Sequence, residues 1–176
     1  RPMTAKPPLS GVRVLDFGQV LAAPYATMVL ADQGAEVIKI EPLTGEPTRG
    51  YVPPNVGGQS PYFLTVNRNK RGVALNLKTE AGRDAVMALV KKSDVIVENF
   101  RTGVMDHLGI GYAAMKALNP TIIYCAISGY GRTGPFADRA GYDPIAQAES
   151  GLMAISGDPD GAPTRCGVSI VDSMAG

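Results

Sequence analysis

Residues 11–41 read GVRVLDFGQVLAAPYATMVLADQGAEVIKIE, and this stretch decides the fold. Val12, Val14 and Phe17 alternate with polar neighbours except at Leu15, the pattern of a short, mostly buried strand. Pro24 stands where a helix begins, because the N–H it lacks has no partner in a first turn. Tyr25 to Gln33 is rich in helix formers, and Gly34 tolerates the left-handed turn that closes a helix. Ala35 to Ile40 reads as a second strand. Strand, helix and strand in so short a span imply a right-handed crossover and a parallel sheet. Ligands of such sheets sit beyond the carboxyl ends of the strands, which puts Gly18 to Pro24 on the expected functional edge.

Further units of the same kind follow. Pro42 to Gln59 is a long polar excursion, and loops of that length are often functional. Ser60 to Val66 fits either a short helix or an extended segment. Asn67 to Gly72 is a basic turn feeding a strand over Val73 to Leu77. Thr79 caps the next helix, Glu80 favours its positive end and Lys91-Lys92 its negative end, while Ala81, Ala85, Leu89, Val86 and Val90 give it an apolar face. Asp94 to Val97 is a strand with Glu98-Asn99-Phe100 at its carboxyl end. Short helices are expected over Thr102–Leu108 and Tyr112–Leu118, then a strand over Ile122–Ile127 and a glycine-rich loop from Ser128 to Pro135. A helix over Asp143–Ala154 leads to a last strand, Val168 to Val171, with Asp172 at its end.

Composition narrows the function classes. A chain of 176 residues suffices for one domain and, when compact, buries roughly 70% of its unfolded surface, so no disulfide or metal staple is required. A net charge of +1 supplies no global field toward nucleic acid or an anionic membrane. No apolar run reaches the ~18 residues of a membrane span. Cys125 and Cys166 match no metal spacing and read as a buried strand residue and an incidental loop thiol. Arg1 to Ser10 lacks an apolar h-region and is too short for a transit peptide, Met3 is the expected natural start, and a reducing cytoplasm is the expected location.

The turn after the first strand, Gly18 to Pro24, lacks G-x-G-x-x-G, which argues against NAD. The single histidine, His107, has no second histidine or suitably placed cysteine to build a metal site or a Ser-His triad, and reads as a residue of a short surface helix. Asp172 is the informative acid. It admits two roles that need not exclude each other: a helix N-cap, and a covalent nucleophile that needs no base because a carboxylate of ordinary pKa (~3.9) is already ionised. A helix start among small residues also offers N–H groups for an oxyanion. Arg68, Lys70 and Arg71 are either phosphate partners or a solvated basic turn.

The stretches PLSGVRVLDFGQVLAAPYATMVLADQGAEVIKIE, NRNKRGVALNLK, DVIVENFRTGVMDHLGIGY, ISGYGRTGP, AGYDPIAQAESGLM and GVSIVDSMAG, taken together and in order, resemble the N-terminal part of the class III CoA-transferases. That family also contains formyl-CoA transferase, carnitine CoA-transferase and α-methylacyl-CoA racemase. The resemblance implies that residues 1–176 are the N-terminal part of a CoA-binding large domain, a Rossmann-like parallel sheet flanked by helices. A small domain, a glycine-rich loop and a C-terminal return are absent from these residues, and interlaced homodimers are the family's assembly. The wording is most similar to the branch that moves CoA from succinyl-CoA to a diacid.

Carried over position by position, the resemblance makes Asp172 the nucleophile toward an acyl-CoA, with acyl-aspartyl anhydride and aspartyl-CoA intermediates and no tightly bound cofactor. It assigns CoA contacts to Leu21, Ala22, Leu75, Asn76, Leu77, Lys78, Asn99, Phe100, Arg101, His107, Arg139, Ala140, Gly141 and Tyr142. Pro42 and His107 stand where many members carry arginines, which weakens or relocates those phosphate contacts. Tyr142 stands where racemases have a histidine, which favours a transferase over a racemase; it also fits a core aromatic with a bonded hydroxyl. An acyl-CoA racemase or epimerase, and a catalytically idle CoA-binding or dimerisation module, are the alternatives.

Overall fold

The computed structural model describes residues 6–176, so the expected start at Met3 lies outside the described residues. Strands β1 (Arg13–Asp16), β2 (Glu36–Glu41), β3 (Lys70–Ala74), β4 (Val95–Glu98) and β5 (Ile123–Ala126) form one sheet in the order β3-β2-β1-β4-β5. Every pairing in it is parallel. The strand order reverses at β1/β4, the topological switch point where ligands of such folds bind.

The pleat of β1 sends neighbouring side chains to opposite faces, and both faces are covered there. Leu15 and Phe17 join Ile38, Ile96, Val86 and Met115 in one core, under α3 (Glu80–Val90), α4 (Val104–His107) and α5 (Tyr112–Leu118). Val14 joins Val37, Val97, Ala23 and Ala31 in the other, under α1 (Ala22–Asp32). Each such aliphatic side chain contributes about 1.5–3 kcal/mol on full burial. The Thr79 hydroxyl caps α3 by accepting from the Gly82 N–H at 3.2 Å, and Gly34 closes α1 with φ +98°. Ser60 to Val66 is settled as helix, α2 (Pro61–Asn67), with Ser60 as its cap.

Four readings need correction. The third strand starts at Lys70 rather than Val73, because its register with β2 pairs Val37 with Lys70 and Glu41 with Ala74. Cys125 is exposed: β5 is an edge strand, and on the face shared by Ile123 and Cys125 it lies open, with Ile123 62% exposed. The helix α6 (Asp143–Glu149) ends sooner than Ala154, since Gly151 turns the backbone to φ +82° before a 3₁₀ turn at Leu152–Ala154. Val168 to Val171 is not a strand. Val168 is 66% exposed and pairs in no ladder, and Ile170–Ala175 is a helix, α7.

Candidate functional site

A cavity of about 660 Å³, within the range of small-molecule sites, opens at the carboxyl ends of β1, β4 and β5. Three loops build its walls: Gln19 to Ala22 after β1, Asn99 to Thr102 after β4, and Ile127 to Gly129 after β5. The first two are bound to each other across the switch point. The Gln19 N–H donates to Asn99 Oδ1 and the Asn99 amide donates to the Gln19 carbonyl, both at 2.8 Å. A fourth wall, Ala137 to Asp143, is held against the third by a close backbone approach. A Cβ added at Gly141 would stand 2.5 Å from Gly129 Cα, so glycine is required at that crossing.

Asp172 reaches this cavity from α7, where it lies in the first helical turn. Its place is set by Asp143, the buried first residue of α6. Asp143 Oδ1 accepts the N–H of Val171 at 2.8 Å and that of Asp172 at 3.3 Å, while Oδ2 accepts from Gln147 Nε2 at 2.6 Å. Gln147, fully buried one turn further along α6, also accepts the Cys166 N–H at 2.9 Å and so fastens the loop that precedes α7. Thus Asp143, and not Asp172, satisfies the second and third N–H groups of α7, and the first, of Ile170, goes to the Val168 carbonyl. The expectation that this helix start offers N–H groups to an oxyanion is corrected accordingly: these are already occupied.

Nor is the Asp172 carboxyl at its ordinary pKa. Burial raises it first, and the neighbouring Asp143 carboxylate raises it further. Tyr62 on α2 feels the same charge. Its hydroxyl is pushed up to about 12, by burial foremost and then by Asp172.

The residues expected from the sequence divide into two groups. Asp172, Leu21, Ala22, Asn99, Phe100, Arg101, Arg139, Ala140, Gly141 and Tyr142 all line the one cavity. Leu75, Asn76, Leu77, Lys78 and His107 do not. Leu75 to Lys78 follow β3 beside a shallower depression of about 300 Å³ between Pro42, Arg49 and Val73, and His107 sits exposed at the end of α4. Tyr142 is 66% exposed, so its reading as a core aromatic is excluded. Arg139 pairs with Glu149 at 2.6 Å and lies over Tyr130 and Phe136, whereas Arg101 makes no ion pair among the described residues.

The basic turn is committed elsewhere. Arg68 pairs with Asp32 and Arg71 with Glu36, while Lys70 is buried against Asp16 at 2.9 Å, so none of the three lines the cavity. Burial drives the Lys70 ammonium down to about 8 despite the opposing pull of Asp16.

The chain matches CoA-transferase family III over residues 9–176. It belongs to that family. It is 52% identical over 170 residues to succinyl-CoA:glutarate CoA-transferase of Mus musculus, covering 96% of this chain and 39% of that relative. It is 46% identical to succinate–glutarate CoA-transferase of Agrobacterium fabrum, with 97% of this chain and 44% of the relative covered. A crystal structure of a CAIB/BAIF family protein from Brucella suis superposes with a TM-score of 0.92 at 42% identity, over 96% of this chain and 46% of that one. The chain therefore spans less than half the length of these family III relatives.

Asp143, which lines the cavity, and Gln147, which holds it, escaped the sequence reading as site residues. The spacing of Asp143 and Gln147 on one helix was visible, but their use became so only when α6 packed on α7.

Proposed function

We propose that this chain forms the CoA-binding, nucleophile-bearing part of an enzyme that moves CoA from an acyl-CoA such as succinyl-CoA to a small carboxylic acid. The observation carrying this reading is that the half-buried Asp172 carboxylate shares one cavity with Leu21, Asn99 to Arg101 and Arg139 to Tyr142, at the switch point of the sheet. Membership of family III and the names of its relatives support the same class of reaction.

In the proposed sequence an Asp172 oxygen attacks the thioester carbonyl, a mixed anhydride forms and CoA leaves as thiolate. The thiolate attacks the aspartyl carbonyl of the anhydride, releasing the donor acid as its carboxylate and leaving an aspartyl-CoA thioester. The acceptor carboxylate then attacks that thioester and expels the thiolate. Return of the thiolate to the acceptor carbonyl gives the new acyl-CoA and regenerates Asp172. Each covalent step divides one difficult exchange into easier ones. Contacts to the remote part of CoA offset the cost of the anhydride. Partial desolvation of Asp172 sharpens its nucleophilicity, and no tightly bound cofactor enters the scheme.

The relatives named for succinate and glutarate make a short dicarboxylic acid the proposed acceptor. A homodimer in a reducing cytoplasm completes the proposal; the open face of β5 and two free thiols are consistent with it. Among the described residues no helix is long and apolar enough to cross a membrane. Racemisation has less support, because Tyr142 supplies a phenol where a proton shuttle calls for an imidazole.

The test uses the intact protein with succinyl-CoA, glutarate and hydroxylamine. A hydroxamate on Asp172, absent from Asp172→Asn, is the expected result. Turnover without modification of Asp172 overturns the nucleophile, and α-deuterium exchange without an acceptor acid favours the racemase instead.

A further inference from the structure

The wall of the cavity formed by Gln19, Val20 and Leu21 is held in a conformation that its sequence disfavours. Val20 adopts φ +63°. A β-branched side chain is crowded in that region, and such outliers persist only where the surroundings over-determine them. Here the surroundings are two charged side chains from outside the cavity. Lys39, buried on β2, donates to the Gly18 carbonyl at 2.7 Å and pairs at 2.7 Å with Glu46, which is buried in the long excursion after β2. Glu46 Oε1 accepts the Val20 N–H at 2.9 Å and the Thr48 hydroxyl at 2.5 Å. Glu46 is itself placed by its own N–H on Glu41, whose carboxylate accepts from Arg49 Nε at 2.7 Å and Nη2 at 2.8 Å.

The two peptide groups flanking the turn, the carbonyl of Gly18 and the amide of Val20, thus end on the two partners of one ion pair. A buried pair of this kind is weak as a source of stability, since apolar replacements often do as well. What it does supply is a fixed direction for each peptide group. Val20, Gln19 and Leu21 line the cavity, and Glu46 does not.

We infer that Glu46 is a positioning residue: with Lys39 it clamps the turn after β1 at the positive φ of Val20, and this keeps the cavity wall in the shape that receives the acyl-CoA. The inference rests on the CoA-transfer reading for its kinetic consequences, but not for the backbone conformation it explains. Glutamine at position 46 cannot serve both partners. If its oxygen faces Lys39, its NH₂ group faces the Val20 N–H, and in the opposite orientation NH₂ faces the ammonium.

The experiment compares the intact wild type with Glu46→Gln, Val20→Gly and the double variant, using succinyl-CoA and glutarate. Glu46→Gln raises KM for succinyl-CoA about tenfold, as loss of one charge-assisted hydrogen bond does, and leaves KM for glutarate unchanged. Hydrogen exchange in that variant quickens in residues 18–22 and not across the sheet. Glycine holds positive φ without penalty, so Val20→Gly in the Glu46→Gln background brings KM back to within about threefold of Val20→Gly alone. A purely structural Glu46 gives the opposite pattern: less folded enzyme, an unchanged KM, and a double variant worse than either single one. That pattern overturns the inference, as does a Glu46→Gln protein that fails to fold and is not restored by Val20→Gly. A wild type without turnover removes succinyl-CoA and glutarate as the substrate pair, and the exchange pattern in residues 18–22 then decides the clamp on its own.

Discussion

The carboxylate of Asp143 accepts the backbone N–H of Asp172, so one acid positions the other and adds to the rise in pKa that burial begins. The same oxygen takes the Val171 N–H, which makes Asp143 the cap of the helix that carries the proposed nucleophile. A cap supplied from another helix couples the packing of α6 on α7 directly to the site.

Removing that cap should affect stability and chemistry together. Asp143→Ala leaves the Val171 and Asp172 N–H groups and the Gln147 amide without their acceptor, at a cost of about 1–3 kcal/mol. The expected outcome is a lower Tm and a fall in kcat larger than the change in KM for the acyl-CoA. Calorimetry and steady-state kinetics on the intact protein check both, and an unchanged kcat counts against Asp143 as the positioner of Asp172.

The raised pKa of Asp172 has a thermodynamic sign. A carboxyl whose folded pKa lies above its unfolded value contributes stability that is complete below the unfolded pKa and lost as pH rises through the folded one. Ionised Asp172 is therefore a net cost at neutral pH. Asp172→Asn should be inactive yet melt higher than wild type at pH 7, with the difference closing as the pH falls toward the unfolded carboxyl value of ~3.9. Paired thermal melts over that range test it; an equal or lower Tm for the variant at pH 7 contradicts the sign.

Lys70 belongs to the frame. Its ammonium donates to Asp16 Oδ2, to the Pro24 carbonyl at 2.8 Å and to Asn67 Oδ1 at 3.0 Å, joining β3 to β1, α1 and α2. Lys70→Met leaves Asp16 fully buried with, among the described residues, only the Gly18 N–H and the Thr27 hydroxyl as donors. Breaking such a pair costs about 3–5 kcal/mol. Urea unfolding should show that loss, and a loss near zero would return the basic turn to the surface role.

The crossing of Gly129 and Gly141 admits no side chain. Gly141→Ala forces the loops apart, costs about 1–3 kcal/mol as overpacking does, and displaces Arg139 and Tyr142 from the cavity wall. KM for the acyl-CoA should rise in this variant, while Gly103→Ala, whose Cβ would meet nothing within 4 Å beyond its chain neighbours among the described residues but where φ is +85°, should affect folding more than KM.

Local pattern alone determined a good deal of this protein. The apolar run of β1, the Gly34 stop and the Thr79 cap depend on residues within a few positions of one another, so the parallel α/β sheet and the strand ends at which its cavity opens were legible in the chain. Asp172 stood out as an acid among small residues, and the family resemblance gave it a role and named ten residues of the cavity wall, Asp172 among them, together with Leu75 to Lys78 and His107, which lie outside it.

Tertiary structure alone decided what depends on partners distant in sequence. GVSIVD has the composition of a strand, but strands need a ladder; its last three residues instead open α7, which packs on α1 and α6 under the carboxylate of Asp143. Lys70 reads as a surface charge until β3 pairs with β2 and brings it over Asp16, and Cys125 reads as buried until β5 turns out to be the sheet's edge. Periodicity reports which face of an element is apolar; only packing determines what lies opposite that face, and whether anything does.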